Sequence, residues 1–150
     1  SGGLGGVMEA AFAGARSSEK YQDGDTIAII PSFDRTMHNE YADIVISTGI
    51  DMLRNAIVAN ADAVIAIGGG AGTLSEIAFA WAMMRLVLAC EDVDGWSSKV
   101  ANTKMDHRVR YDDIPEDMVY GVSNADEVIE ILNKYIDKYT KYHKAIVMGV

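Results

Sequence analysis

The residue types best suited to chemistry lie in a glycine-rich segment at residues 68–73, which reads GGGAGT. It follows a very hydrophobic stretch, residues 61–67, and leads into a helical pattern from Leu74 to about Arg85. Glycines let an anion approach the backbone, and a helix start offers unpaired N–H groups at the positive end of its dipole. The segment therefore predicts a phosphate-binding loop, to which Thr73 adds a hydroxyl donor. The alternative is a tight turn without a ligand.

Two common nucleotide-binding motifs do not match this segment. A P-loop has a lysine after its last glycine, whereas here Thr73 follows Gly72 directly. The spacing of the glycines also differs from the dinucleotide fingerprint, so the sequence does not imply NAD.

A second glycine-rich segment, residues 2–6, reads GGLGG and gives way at once to a helical pattern over residues 9–16. This arrangement also favours phosphate binding. A β-strand normally precedes such a loop and none is visible here, so a flexible leader is the alternative. The immediate start of the helical pattern argues against a leader.

Two charged residues are candidates for a role beside these loops. Glu76 lies three residues beyond Thr73, in what we predict to be the first helical turn. It either complements the helix dipole or faces the sugar of a bound nucleotide, since it would repel a phosphate. Arg54 lies in the middle of an otherwise apolar helical pattern, residues 49–60. It is either a solvated surface residue or a partner for a ligand phosphate or for Glu76.

Charge and cysteine content narrow the functional classes. Lys and Arg number 13 against 22 Asp and Glu, which gives a net charge of −9. We therefore expect neither a nucleic-acid nor a membrane partner, although backbone N–H groups can still bind a small anion. The single cysteine, Cys90, excludes an intrachain disulfide and indicates a reducing compartment. With no visible signal peptide or membrane span, the sequence predicts a cytoplasmic protein. The histidines lack metal-ligand spacing, so no metal site is predicted.

The positioning elements follow from hydrophobic patterning. We predict strands at residues 26–31, 42–47, 61–67, 86–90 and 118–122, and helices at residues 9–16, 49–60, 74–85 and 124–142, with Ser123 as a cap and a long irregular loop at residues 91–115. Alternating strands and helices predict one α/β domain over residues 1–150, a Rossmann-like parallel sheet with helices on both faces. In such sheets, ligands bind beyond the carboxyl ends of the strands, where both glycine loops fall.

The helical pattern at residues 74–85 is apolar almost all round, with Trp81, Met83 and Met84 on different faces. One sheet cannot cover all of these side chains, and exposed apolar patches mark interfaces. The sequence therefore predicts a homo-oligomer, a homodimer or a tetramer.

The two loops together, GGLGGVMEA at residues 2–10 and GGAGTLSE at residues 69–76, resemble the LOG-like family of Rossmann-type nucleotide-binding proteins, once misnamed lysine decarboxylases. The branch that looks most similar is that of the molybdenum-cofactor carrier proteins. The strand ending at Pro31, the Arg54-Asn55 pair and the DAVI run at residues 62–65 also fit that branch. The resemblance covers residues 2–122.

The resemblance implies a ligand and a set of site residues. The ligand would be an AMP-like nucleotide monophosphate or a molybdopterin-type cofactor, and no further cofactor is required. The implied phosphate- and nucleotide-binding residues are Gly2, Gly3, Gly5, Gly6, Met8, Gly69, Gly70, Gly72 and Thr73.

The resemblance also leaves two functions open. In the phosphoribohydrolases of the family, a glutamate and an arginine at the positions of Glu76 and Arg54 serve catalysis of base–ribose cleavage. Those hydrolases usually carry proline where Gly68 stands and lysine where Asn55 stands. Both differences favour a binding protein for a phosphorylated small molecule over a nucleoside 5′-monophosphate phosphoribohydrolase.

Family members begin with a strand, a helix and a second strand before the first glycine loop, and these are not visible here. Residues 144–150 look similar to the missing first strand. We therefore expect either a piece of a longer natural chain or a rearranged chain. Residues 144–150 are a candidate for the position of the missing strand, as in a circular permutant or from a neighbouring molecule, and the sequence leaves these alternatives open.

Overall fold

The protein is described by a computed structural model, which covers residues 1–141. These residues form two compact units, Ser1–Val58 and a second unit that starts at Ala59. The predicted terminal strand at residues 144–150 lies outside the described residues. Each unit has a parallel sheet flanked by helices, which confirms the predicted α/β class.

The first unit is built on a two-stranded sheet. Its elements are α1 (Val7–Arg16), β1 (Ile27–Ile30), β2 (Ile44–Ser47), a 3₁₀ turn (Asp51–Arg54) and α2 (Asn55–Val58). The strands pair from Ile27 opposite Ile44 to Ile30 opposite Ser47. Because side chains alternate along a strand, Ala28 and Ile30 point to one face, where they pack with Phe12 of α1.

Asp43 ties the start of β2 to the rest of this unit. Its carboxylate accepts hydrogen bonds from Arg16 Nη2 at 2.7 Å and from the backbone N–H and hydroxyl of Thr26 at 3.0 and 2.7 Å. The Tyr21 hydroxyl donates a further bond. The bonds from Arg16 and Tyr21 hold the pKa of the Asp43 carboxyl well below its usual range. The carboxylate therefore fixes the end of α1 and the turn before β1.

The second unit is built on a three-stranded parallel sheet in the order β3-β4-β5. Its elements are β3 (Ala63–Ala66), α3 (Ala71–Ala82), β4 (Leu86–Cys90), α4 (Trp96–Val100), β5 (Tyr120–Val122) and α5 (Ala125–Thr140). The central strand β4 is buried from Leu86 to Ala89. Leu86 and Leu88 pack with the tyrosines of α5, and Val87 and Ala89 pack with Ile77 and Trp81 of α3. Helices therefore cover both faces of this sheet.

Several elements differ from the sequence prediction in their bounds or their type. The helix at residues 49–60 is a 3₁₀ turn followed by the single turn of α2. Helix α3 begins at Ala71 and ends at Ala82, because Met84 adopts a left-handed φ of 64° that stops it. The predicted irregular loop contains α4, whose five residues are too few for a periodic signal. Asn124, rather than Ser123, caps α5 by accepting from the Glu127 N–H at 3.0 Å.

A buried ion pair closes the carboxyl end of α3. The Arg110 guanidinium forms two bonds to the Asp117 carboxylate, at 2.8 and 2.6 Å, with both side chains at most 5% exposed. Arg110 also donates to the Trp81 carbonyl at 2.9 Å and lies 3.6 Å above the Trp81 ring. Arg110 donates to the Arg85 carbonyl as well, at 3.2 Å. The stacking and these two carbonyls satisfy a guanidinium that would otherwise be costly to bury.

The sequence predicts a homo-oligomer because one sheet cannot cover the apolar side chains around α3. The burial of Trp81 within the chain removes this argument. Its side chain is 1% exposed, Met83 packs on the core beside α3, and Met84 packs on the core beside α5. Phe79 remains 39% exposed. The apolar side chains of α3 are covered largely within one chain because segment 103–119 folds over them. A homodimer or tetramer stays a prediction without this support.

We expect Arg110→Gln to destabilise the fold by about 3–5 kcal/mol, because it leaves the buried Asp117 carboxylate without its partner. The measurement is chemical denaturation. The matched control is Arg108→Gln, which breaks the exposed Arg108–Asp106 pair and should change stability little. Equal effects of the two substitutions would contradict this account of the buried pair.

Candidate functional site

The first glycine loop lies along β1. The Ile29 N–H donates to the Ser1 carbonyl at 2.9 Å, as in a parallel strand pair. Gly3 has a φ of 67°, and a Cβ there would lie 2.3 Å from the Ala28 Cβ. The backbone of this loop therefore lies flat on β1 in a conformation that glycine alone adopts easily. This packing contradicts the alternative of a flexible leader.

Arg54 lies against the same loop. A Cβ on Gly2 would be 2.5 Å from Arg54 Nη2 and 2.7 Å from the Met8 sulfur. Three predicted site residues thus lie together in the first unit. Arg54 is 8% exposed, so it is not a solvated surface residue, and it ends the 3₁₀ turn rather than occupying the middle of a helix. Its guanidinium brings a positive charge to the loop.

Asn39 lies in the connection between β1 and β2 and holds the first loop in place. The sequence did not predict this role. Its backbone N–H donates to the Gly3 carbonyl at 2.8 Å, and its side-chain amide donates to the Leu4 carbonyl at 2.9 Å. The side-chain oxygen accepts from the Tyr41 N–H at 3.1 Å. Asn39 is 9% exposed. One asparagine in a polar connection gives no local signal of this role.

Helix α1 starts immediately after the first loop. Gly6 precedes its first residue with a φ of 67°, and within residues 1–141 no side chain caps it. A Cβ on Gly6 would meet no described atom within 4 Å. The Glu9 carboxylate lies nearby, 3.6 Å from the position of a Cβ on Gly5. The helix start is thus open, with one acidic group at its side.

The second glycine loop also leads directly into a helix, but the first turn of this helix has no acidic residue. Gly68 and Gly69 have φ values of 60° and 87°, and Gly70 precedes α3. The Thr73 side chain bends back over Gly69, where its hydroxyl would be 2.0 Å from an added Cβ. In the part of the chain that the structure describes, nothing lies within 4 Å of a Cβ on Gly70, and no side chain caps α3.

The connection after β4 holds the second loop in place. Trp96 and Ser97 donate from their backbone N–H groups to the carbonyls of Gly69 and Gly68, at 2.9 and 3.1 Å. The Gly68 N–H donates to Ser97 Oγ, which donates to the Cys90 carbonyl, both at 2.7 Å. Ser97 is fully buried. The loop conformation thus depends on a segment about 25 residues further along the chain.

Gly95 makes this contact possible. Its φ is 138°, and a Cβ there would lie 2.6–2.8 Å from backbone atoms of Gly68 and Gly69. The only sequence signal for Gly95 and Ser97 is their place after a strand, since the connections that follow neighbouring parallel strands meet at one edge. Without knowing that β3 and β4 are neighbours, sequence reasoning could not assign them.

Glu76 is half-buried in the second turn of α3, because the helix begins three residues earlier than predicted. Glu76 and Arg54 belong to different units, and their predicted interaction stays a prediction. Gly5 is exposed, whereas Gly2 and Gly3 are buried.

Outside the glycine loops, the described residues offer few groups suited to metal binding or nucleophilic chemistry. Within residues 1–141, no cluster of three or more His, Cys, Asp or Glu side chains could hold a metal ion. None of the helices in that range has the length and apolar character needed to cross a bilayer. Burial, and to a smaller extent the charge of Asp92, raises the pKa of the Cys90 thiol, which makes it a poor nucleophile.

A parallel strand that runs through a glycine loop into a helix, as β3 does before α3, is typical of a Rossmann-like α/β protein. The chain belongs to the SLOG cluster4 family, whose model matches residues 1–119. This confirms the predicted kinship with LOG-like, Rossmann-type proteins.

Known proteins similar to this chain include one relative and two solved structures. An uncharacterized protein of Archaeoglobus fulgidus is 48% identical over 80 residues, which are 53% of this chain and half the length of that relative. The X-ray structure of TM1055 matches 89% of this chain and 75% of its own, with a TM-score of 0.72 and 28% identity. The molybdenum cofactor binding protein of Rippkaea orientalis matches 87% of this chain and 72% of its own, with a TM-score of 0.67 and 32% identity.

We expect Gly95→Ala to destabilise the protein by about 1–3 kcal/mol, because the new methyl strains its own backbone and displaces Gly68 and Gly69. Denaturation measures the loss, and amide NMR shifts of Gly68 and Gly69 report the displacement. The control is Gly14→Ala, at an open position inside α1, which should stabilise by about 0.5–1 kcal/mol. Unchanged amide shifts in Gly95→Ala would show that Gly95 does not support the loop.

Proposed function

We propose that this protein binds a phosphorylated small molecule, a molybdopterin-type cofactor or a nucleoside monophosphate, through its glycine loops. The observation that carries the proposal is the start of α3, where Gly70 occupies the capping position and no described atom lies within 4 Å of a Cβ placed on it. Natural helix starts usually carry a capping side chain. A helix that leaves this position open can give its N–H groups to an anion.

Local charge favours the second loop over the first as the phosphate site. The first turn of α3 has no acidic residue, whereas Glu9 lies in the first turn of α1. A carboxylate beside a phosphate is unfavourable, since like charges repel at short range. The first loop has a hydrogen-bond acceptor, Glu9, and a donor, Arg54, beside it.

The comparisons support a binding role. The family match agrees with the Rossmann-like fold, and the similarity to the molybdenum cofactor binding protein of Rippkaea orientalis supports a ligand-binding role. That protein is 32% identical, so its ligand class is a reasonable first choice for this chain. When bound, a molybdopterin-type cofactor would place its phosphate at the loop and would bring its own metal chemistry.

A second candidate function is phosphoribohydrolysis of a nucleoside 5′-monophosphate. The buried position of Arg54 beside Gly2 favours it, because a guanidinium held at a glycine loop can neutralise a phosphate or orient a carboxylate. Glu76 would then assist departure of the base. Gly68 and Asn55, which replace residues typical of the hydrolases, favour the binding protein.

We expect AMP or a phosphorylated pterin to raise the melting temperature of the parent protein, since a ligand at 100 times its Kd stabilises by about 2.7 kcal/mol. Gly70→Ala should weaken this effect, because its methyl enters the open space before α3 while its backbone conformation remains allowed. Gly14→Ala makes the same chemical change elsewhere and should respond like the parent. A parent that responds to no phosphorylated ligand would contradict the proposal.

Glu76→Gln separates the two candidate functions. In a hydrolase, the loss of this carboxylate should slow base release by about 10²–10⁴-fold and leave phosphate binding intact. In a binding protein, the parent releases no base. The substitution then changes the free energy of ligand binding by about 0.5–3 kcal/mol, as expected for one hydrogen bond. Chromatography of free adenine after incubation with AMP measures release. Fast release that is unchanged in Glu76→Gln would exclude Glu76 from catalysis.

A further inference from the structure

Phe33 has the highest exposed fraction, 83%, among the large apolar side chains in residues 1–141. It follows β1 by three residues, at the carboxyl end of the strand. The residues next to it in the chain, Ser32 and Asp34, are polar or charged. An aromatic ring with this exposed fraction gains little from the fold's own core.

The structure nevertheless holds this ring in one place. Gly49 has a φ of 65°, and a Cβ there would lie 2.1–2.4 Å from three carbons of the Phe33 ring. The ring therefore rests directly on the backbone of Gly49, which leaves much of its surface open. The Ser47 hydroxyl donates to the carbonyls of Ser32 and Phe33, both at 3.0 Å. Phe33 is presented on a braced connection rather than on a loose one.

The same connection reaches the first glycine loop. It runs from β1 to β2 and includes Asn39, which donates to the carbonyls of Gly3 and Leu4. Gly3 packs on Ala28 and Ile30 at this end of β1. Phe33 and the first loop thus belong to one edge of the sheet, the carboxyl edge at which parallel sheets bind ligands.

We propose that Phe33 is a stacking surface for the flat ring of the ligand, which makes this protein selective for a phosphorylated heteroaromatic compound over a plain sugar phosphate. This inference rests on the proposed function. An exposed, braced aromatic ring beside a ligand-binding loop recognises a π-face of any purine or pterin, because stacking needs no particular pattern of hydrogen bonds. Arg54 and the first glycine loop, which belong to the same unit as Phe33, supply polar contacts.

The test compares three probes by calorimetric titration: AMP, neopterin monophosphate and ribose 5-phosphate. Phe33→Ala should weaken binding of a ring-bearing probe by about 5- to 100-fold, the range of one aromatic–base stack, and leave ribose 5-phosphate unchanged. Phe33→Trp should restore or tighten binding, and the new tryptophan's fluorescence should be quenched by the ring. Val109→Ala, which trims a 75% exposed side chain of the second unit, is the control.

Several outcomes would overturn the inference without touching the proposed function. They are unchanged affinity for the ring-bearing probes in Phe33→Ala, an equal loss for ribose 5-phosphate, or a change in oligomeric state alone, which would make Phe33 a contact between two copies of the chain. A parent that binds none of the three probes would overturn both the inference and the proposed function.

Discussion

Direct contact between backbone and backbone at Gly68, Gly69 and Gly95 is the constraint on which the rest of the second unit depends. No side chain separates the two connections there, so the strands that lead into them must lie side by side and in register. The parallel pairing of β3 with β4 provides this. Ser97 adds hydrogen bonds that hold the two connections together. The result is a helix start whose N–H groups are fixed before any ligand arrives, which lowers the cost of binding.

The two ends of α3 differ in how their backbone groups are satisfied, and this difference bears on the proposed anion binding. The carboxyl end is closed: Met84 adopts a left-handed conformation, and Arg110 donates to the Trp81 carbonyl. At the amino end, Gly70 occupies the capping position, and within residues 1–141 no side chain caps the helix. The positive end of a helix dipole favours negative charge. An acidic protein of net charge −9 can bind an anion in this way without a basic surface.

The loops and the charged residues beside them have separate roles. The proposed phosphate site at the glycine loops suits a binding protein and a hydrolase alike, so it does not distinguish the two candidate functions. The proposed hydrolysis would need a carboxylate and a guanidinium, and Glu76 and Arg54, the candidates for these roles, belong to different units. The surroundings of these two charged residues also differ. Arg54 is buried against Gly2, whereas Glu76 is half-buried on α3.

The sequence by itself determined the α/β class, all five described strands and the location of both glycine loops, because hydrophobic runs and glycine clusters are local signals. It also indicated Gly2, Met8 and Arg54, which the structure brings together. It did not show α4, the burial of Trp81, the contacts of Asn39, Gly95 and Ser97, or the exposed position of Phe33. Each of these depends on which strands are neighbours and on what segment 103–119 covers. Such contacts join residues far apart in the chain, and only the tertiary structure decides them.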